Sequence, residues 1–257
     1  MLNLYLSAAA AVLTYMIIIF VFAQFKKDNS IVDIAWGPGF VLIALTLLLI
    51  NGEVNYKEML LTAMVSLWGL RLALHIYSRA RGKSEDFRYA QWRKDWGEKA
   101  VINAFIRVFM LQGIIMLIIA LPIIIVFNDG AGRLTIFNYI GLTIFMFGFI
   151  FESIGDYQLV RFKKIPGNKG KIITSGLWKI TRHPNYFGEA VLWWGIGIFT
   201  VGSELFLFAL IGPLFLNLLL LYVSGVPMLE KKYEGNPDWE QYKKRTSEFI
   251  PYIGKKG

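Results

Sequence analysis

The chain contains no cysteine, which excludes disulfides and thiolate metal sites. It has only two histidines, His75 and His183, too few for a structural zinc site, so no metal is expected. No G-x-G-x-x-G and no Walker sequence occurs, so a dinucleotide, if one binds, is held without a Rossmann fold. Internal repeats and low-complexity tracts are missing. The apolar N-terminal run has no basic n-region and no small-residue cleavage site, and therefore reads as a membrane helix rather than a cleaved signal. Acidic residues are scarce, 18 against 27 Lys and Arg, for a net charge of +9. What the chain has in abundance is apolar surface: 56% of its 257 residues are hydrophobic and 16% aromatic. Its mean hydropathy is +0.50, above that of an ordinary soluble domain. The charge could suggest nucleic acid, but a membrane topology accounts for it better.

Seven apolar runs are close to the ~20 residues that a bilayer crossing needs. They cover 4–25, 34–50, 59–77, 104–127, 134–156, 185–201 and 205–224, and the shorter ones are expected to tilt less or to be partly re-entrant. The spacing predicts an all-α polytopic membrane protein of about seven transmembrane helices, a single integral domain over 1–257 with a cytoplasmic C-terminal tail. With seven spans, alternate loops share a side. Lys26 and Lys27, the charged segment 78–100, the loop 158–182 and the tail 225–257 together hold 23 of the 27 basic residues. The other side has only Lys57 and Arg133. The positive-inside rule then places the basic segments and the C-terminal tail in the cytoplasm and the N-terminus outside, in a cell's inner membrane. The tail alternates aromatic and basic residues through Trp239, Tyr242 and Arg245, which suits a short interfacial helix.

Polar groups inside apolar runs are costly and tend to face a cavity or a partner. Three pairs stand four residues apart, each on one helix face: Arg71 and His75, Glu152 and Asp156, and Asn185 and Glu189. All lie toward the cytoplasmic ends of their runs, so one pocket could gather them, although snorkelling or structural pairing would also explain each. Two acids four apart gain nothing from each other, which favours function for Glu152 and Asp156. The run Thr181-Arg182-His183-Pro184-Asn185-Tyr186-Phe187-Gly188-Glu189 sits between the basic loop and an apolar run. Its proline favours a helix start, whose N–H groups would face the basic loop and suit an anion. A capped start with interfacial aromatics is the plainer alternative. Asp33 is either a helix N-cap or a buried acid beside Trp36. Glu85-Asp86-Phe87-Arg88-Tyr89 reads as a solvated charged loop, or as one in which Arg88 and Arg81 close over a phosphate.

These motifs resemble the steroid 5α-reductase family. The resemblance rests on Phe151-Glu152-Ser153-Ile154-Gly155-Asp156-Tyr157-Gln158-Leu159, Gly176-Leu177-Trp178, Arg182 to Glu189 and Phe249-Ile250-Pro251, with Gln112-Gly113 and Val32 to Gly37 as lesser matches. It implies a seven-helix membrane reductase that binds NADPH in a cavity open to the cytoplasm and delivers hydride to a lipophilic enone, steroid-like or lipid. By the same resemblance Asp156, Asn185 and Glu189 contact the cofactor. Glu152 stands where steroid-reducing relatives carry asparagine, and Lys163 and Lys171 where relatives hold arginine. Arg71, Arg161, His183, Tyr186 and Glu230 complete the expected cofactor-binding set. A Glu and a Tyr of the N-terminal half supply the proton in the steroid reductases. Asp33 substitutes here for the Glu, while the position aligned with the Tyr falls near Trp68, which cannot act as an acid. Asp33 and Tyr89 are the candidate catalytic residues. The expected partners are the bilayer and a lipophilic small molecule, without nucleic acid.

The alternative is a membrane methyltransferase using S-adenosylmethionine. Isoprenylcysteine carboxyl methyltransferases share a similar Arg-His-Pro-x-Tyr-x-Gly start, and Glu230 could stand for one of their paired acids although its neighbour is Lys231. A non-enzymatic transporter would be expected to show repeats, and none is present.

Overall fold

The computed structural model describes residues 1–52, 55–130 and 133–252. Parts of two expected loops, at 53–54 and 131–132, and the last five residues of the tail lie outside the described residues. Among the described residues the fold is all-helical, with a single isolated bridge between Thr181 and Ser247. Six helices are long and apolar enough to cross a membrane: α1 (Leu2–Lys26), α2 (Ile31–Ile50), α3 (Tyr56–Ala80), α4 (Phe87–Ile119), α6 (Ile136–Lys164) and α8 (Phe206–Lys231). Three shorter helices complete the order: α5 (Leu121–Asn128), α7 (Pro184–Ile198) and α9 (Pro237–Arg245).

Two expectations are corrected. The expected sixth span is the 15-residue α7, about 22 Å at 1.5 Å per residue and so shorter than the six long helices. It starts at Pro184 as the proline requires, and stops at Ile198 before a tight turn at 199–205. The charged segment 78–100 is not a loop but mostly the first part of α4. Asp86 caps it by accepting from the Arg88 N–H at 3.0 Å, and Gly97 at φ 52° separates its charged start from its apolar remainder.

The chain divides into two compact units, residues 1–138 with 200–212, and residues 139–199 with 213–257. In the first, α2 and α3 meet backbone to backbone. A Cβ on Gly37 would lie 2.2 Å from the Gly69 carbonyl oxygen, so only glycine fits there. Trp36, Phe40 and Trp68 follow one another edge to face beside this contact, at 5.3 and 5.6 Å. At one end of this unit Lys57 pairs with Asp129 at 3.4 Å, and Ser203 donates to Asp129 at 2.6 Å. Asn55 and Glu58 form a capping box at the start of α3. At the other end the Asn29 N–H donates to Glu85 at 2.7 Å, and Arg93 pairs with the same carboxylate at 2.8 Å.

In the second unit α6 and α7 pack along glycines. Gly141, Gly148 and Gly155 recur every seven residues on α6, as do Gly188 and Gly195 on α7. A Cβ on Gly141 would fall 2.7 Å from the Gly195 oxygen, and one on Gly148 2.4 Å from the Leu192 nitrogen. The order of these contacts makes the two helices antiparallel. Short as it is, α7 therefore returns the chain along α6. A seven-residue repeat keeps one stripe of each helix on the seam.

Candidate functional site

The seam brings four of the expected polar residues onto adjoining turns. Glu152 lies opposite Gly188, where a Cβ would be 2.4 Å from the Glu152 nitrogen. Gly155 lies opposite Asn185, where a Cβ would be 3.2 Å from the Asn185 nitrogen. Phe151 and Phe187 meet edge to face at 5.2 Å and hold this register. Glu152 is 2% exposed, Asp156 5% and Glu189 9%. The Asn185 Oδ1 is buried and has no hydrogen-bond partner among the described residues. Three buried carboxylates and an amide oxygen thus mark a stretch rich in acceptors, which suits ligand hydroxyl and N–H donors. Arg161 and Lys163 follow Asp156 on α6, about 7.5 and 10.5 Å farther along the axis, and are exposed. Lys171, in the segment after α6, is exposed as well.

The start of α7 is closed by the chain's own tail. Arg182 pairs with both oxygens of Glu230, Nε to Oε1 at 2.8 Å and Nη2 to Oε2 at 3.2 Å. Its Nη1 donates to the Thr246 carbonyl at 3.0 Å and its backbone N–H to the Ser247 carbonyl at 2.8 Å. The guanidinium also lies over Trp239, 5.9 Å from the ring centre. His183 Nε2 is 2.9 Å from Glu230 Oε1, and the imidazole stacks on Tyr186 at 5.8 Å. Tyr242 donates its hydroxyl to the Trp178 carbonyl, and burial raises its phenol well above the ordinary range. His183 and Glu230, expected among the cofactor contacts, are each partnered within the fold. Arg182 as a tether was not anticipated from the sequence, and its partner lies 48 residues away. The seven-residue glycine spacing was a legible signal of the seam.

In the first unit Asp33 and Tyr89 come together. Tyr89 Oη donates to Asp33 Oδ1 at 2.5 Å, and Arg88 Nη2 donates to Asp33 Oδ2 at 2.8 Å. Arg88 Nε donates to Asp86 Oδ1 at 2.9 Å. Ser30 holds the N-cap position of α2, so Asp33 is a first-turn residue and not the cap. Arg88 is occupied by two carboxylates, which removes it from the expected pairing with Arg81 around a phosphate. Burial raises the Asp86 carboxyl, but hydrogen bonds from the Arg88 side chain and backbone, with the charge of Arg88, outweigh it and hold the group below the ordinary range. Tyr89 itself is 3% exposed. Arg71 and His75 are half-buried on α3 in this first unit, one turn apart.

A family model described as "Protein of unknown function (DUF1295)" matches residues 19–246. A protein of Schizosaccharomyces pombe, described as uncharacterized, is 25% identical over an alignment of 257 positions that covers 88% of this chain and 74% of that protein. A probable O-methyltransferase of Ustilaginoidea virens is 46% identical over 46 residues, 18% of this chain and 16% of that protein. No solved structure matches the chain.

Proposed function

The chain belongs to the DUF1295 family, and from that membership, its membrane-spanning helices and its α6–α7 seam we propose that it is a membrane-embedded, NADPH-dependent reductase acting on the double bond of a lipophilic enone. The observation that carries this reading is the row of buried acceptors with exposed cations beyond it. The motif resemblance to steroid 5α-reductases falls on these same residues. Glu152, Asp156 and Glu189 accept from ribose hydroxyls. Asn185 Oδ1, a buried oxygen without a partner among the described residues, accepts an N–H or O–H of the cofactor. Arg161, Lys163 and Lys171, exposed beyond the acceptors, are the cations for its phosphates. NADPH, when bound, supplies the hydride. Asp33 and Tyr89, in the unit that does not carry the seam, remain the candidate acid groups of the chain. The basic segments face the cytoplasm of a cell's inner membrane, and the substrate enters through the bilayer.

A second reading, a methyltransferase using S-adenosylmethionine, is favoured by the short match to a probable O-methyltransferase. That cofactor also offers ribose hydroxyls, but it carries a sulfonium and no phosphate for a basic segment to meet. Calorimetric titration of the purified protein with each cofactor separates the two. Saturable NADPH binding is expected, weakened roughly 5- to 10-fold by Asn185→Ala, since a net hydrogen bond is worth about 1 kcal/mol. Binding of S-adenosylmethionine alone would overturn the reductase.

A further inference from the structure

We propose that a groove between α1 and α4 holds one phospholipid with a primary ammonium headgroup, of the phosphatidylethanolamine class. The inference stands on the first unit alone and is independent of the reductase reading. The groove has a volume of about 390 Å³ and is lined by Phe20 of α1 and by Glu98, Val101, Ile102 and Phe105 of α4. Small-molecule sites span ~300–1,000 Å³, so it is large enough for part of a lipid. Phe20 meets Phe105 at 5.0 Å and Phe109 at 5.3 Å between ring centres, so the two helices touch at its apolar end. Val101 and Ile102, 55% and 52% exposed, leave its side open. Glu98 is the one charged residue of the lining. It stands seven residues before Phe105, about 10 Å away along the helix axis.

Glu98 lies in the turn at 97–99, where the charged start of α4 gives way to its apolar remainder. Gly113 of α4 faces Val12 and Met16 of α1, and Phe105 faces Phe20, so the two helices run antiparallel. Lys26, six residues or about 9 Å beyond Phe20, therefore ends α1 at the level of Glu98. That level, between an apolar stretch and a charged one, is where lipid headgroups sit. Lys94 stands four residues before Glu98, the spacing at which opposite charges pair on a helix. Gly97 at φ 52° breaks the helix between them, and among the described residues neither Glu98 nor Lys99 forms an ion pair. An exposed carboxylate and an exposed cation thus stand side by side at the mouth of an apolar groove. An ethanolamine head complements both: its ammonium donates to Glu98 and its phosphate meets Lys99, while an acyl chain covers Val101, Ile102 and Phe105. A phosphatidylglycerol head offers a phosphate for Lys99 but no cation for Glu98. A choline head is cationic but has no N–H to donate. Quaternary ammonium groups favour aromatic faces, and the rings of Phe20 and Phe105 meet at the other end of the groove.

The test titrates the whole chain, purified and delipidated in detergent, with dioleoyl phosphatidylethanolamine, phosphatidylcholine or phosphatidylglycerol. Native mass spectrometry reads the adducts that carry one lipid. The wild type is expected to bind the ethanolamine lipid roughly 5- to 10-fold more tightly than the choline lipid, the worth of one charge-assisted hydrogen bond at a partly wet site. Glu98→Gln keeps an acceptor but removes the charge. It is expected to bring the two affinities within about twofold, by weakening the ethanolamine lipid alone. Val101→Trp, at an exposed position, fills the groove and weakens both lipids alike. Glu204→Gln, an exposed carboxylate in the turn before α8, leaves all three affinities unchanged. Equal affinities in the wild type, or a preference that survives Glu98→Gln, would overturn the site. Tightest binding of phosphatidylglycerol, indifferent to Glu98→Gln, would overturn it too, since that is attraction to surface lysines only. So would a dimer that Val101→Trp dissociates without altering lipid binding, which would give the groove to a second copy of the chain.

Discussion

Arg182 is 8% exposed and Glu230 15% in their side chains, so their ion pair has little water to fall back on. Removing one partner of such a pair strands the other, at a cost of about 3–5 kcal/mol. Arg182→Ala is expected to lower the midpoint of thermal unfolding in detergent, and to open the tail beyond Lys231 to limited proteolysis. Replacing Arg182 and Glu230 together with methionine costs much less, because neither charge is left unmatched. Proteolysis of Arg182→Ala at the wild-type rate would contradict the tether. Asp86 gives a milder case with a pH signature. Its carboxyl is held below the ordinary range, so its contribution is present at neutral pH and lost as pH falls through that lowered value. Asn caps a helix as well as Asp, so Asp86→Asn isolates the pairing with Arg88. Both side chains are partly exposed, which limits the effect to under about 1 kcal/mol, and it disappears in acid. Unfolding midpoints of the two proteins that differ equally at neutral and acid pH would count against this. The sequence made Arg182 and His183 conspicuous, but it could not show that their partner is Glu230. Ion pairs across 47 or 48 residues leave no local pattern, whereas the alignment of Asn185 and Glu189 on one helix face follows from spacing alone.

Among the elements, the α6–α7 seam has the least room for change. Gly188→Ala would place a methyl 2.4 Å from the Glu152 backbone, and no side chain can turn aside to admit it. The helices must move apart, costing about 1–3 kcal/mol and displacing Glu152 from Asn185. Gly167→Ala is the matched control, since nothing lies within 4 Å of its Cβ position, and it should leave thermal stability unchanged. Equal melting of the two variants would remove the close approach from the account. Hydropathy found the long helices, because an apolar run of bilayer length has few other uses, but it placed some ends early: α6 runs on to Lys164 where 156 was expected, and α8 to Lys231 where 224 was. It failed at the two places where other forces decide. The α4 start is charged but helical, because Asp86 caps it and Arg88 and Arg93 find carboxylates. The α7 run is expected to reach 201 but stops at Ile198, where the chain turns toward Ser203, which donates to Asp129.

At the scale of the whole molecule, the missing cysteines make the topology testable without background. A single cysteine at the exposed Arg133 position should react with an impermeant maleimide in intact cells. One at Lys169 should react only after the membrane is opened. The reverse pattern would invert the proposed orientation. The positive charge that fixes this expectation was legible at once, as was the all-helical class, because both depend on composition along the chain and not on who meets whom. The tail's grip on the start of α7 carries a last implication, about biosynthesis. Thr246 and Ser247 are translated more than sixty residues after the arginine they hold. A nascent chain must therefore release α7 from the insertion machinery with that guanidinium still unmet. Its entrance can close only once the ribosome has delivered the tail, and a message cut short before Glu230 would yield a chain with no means of closing it.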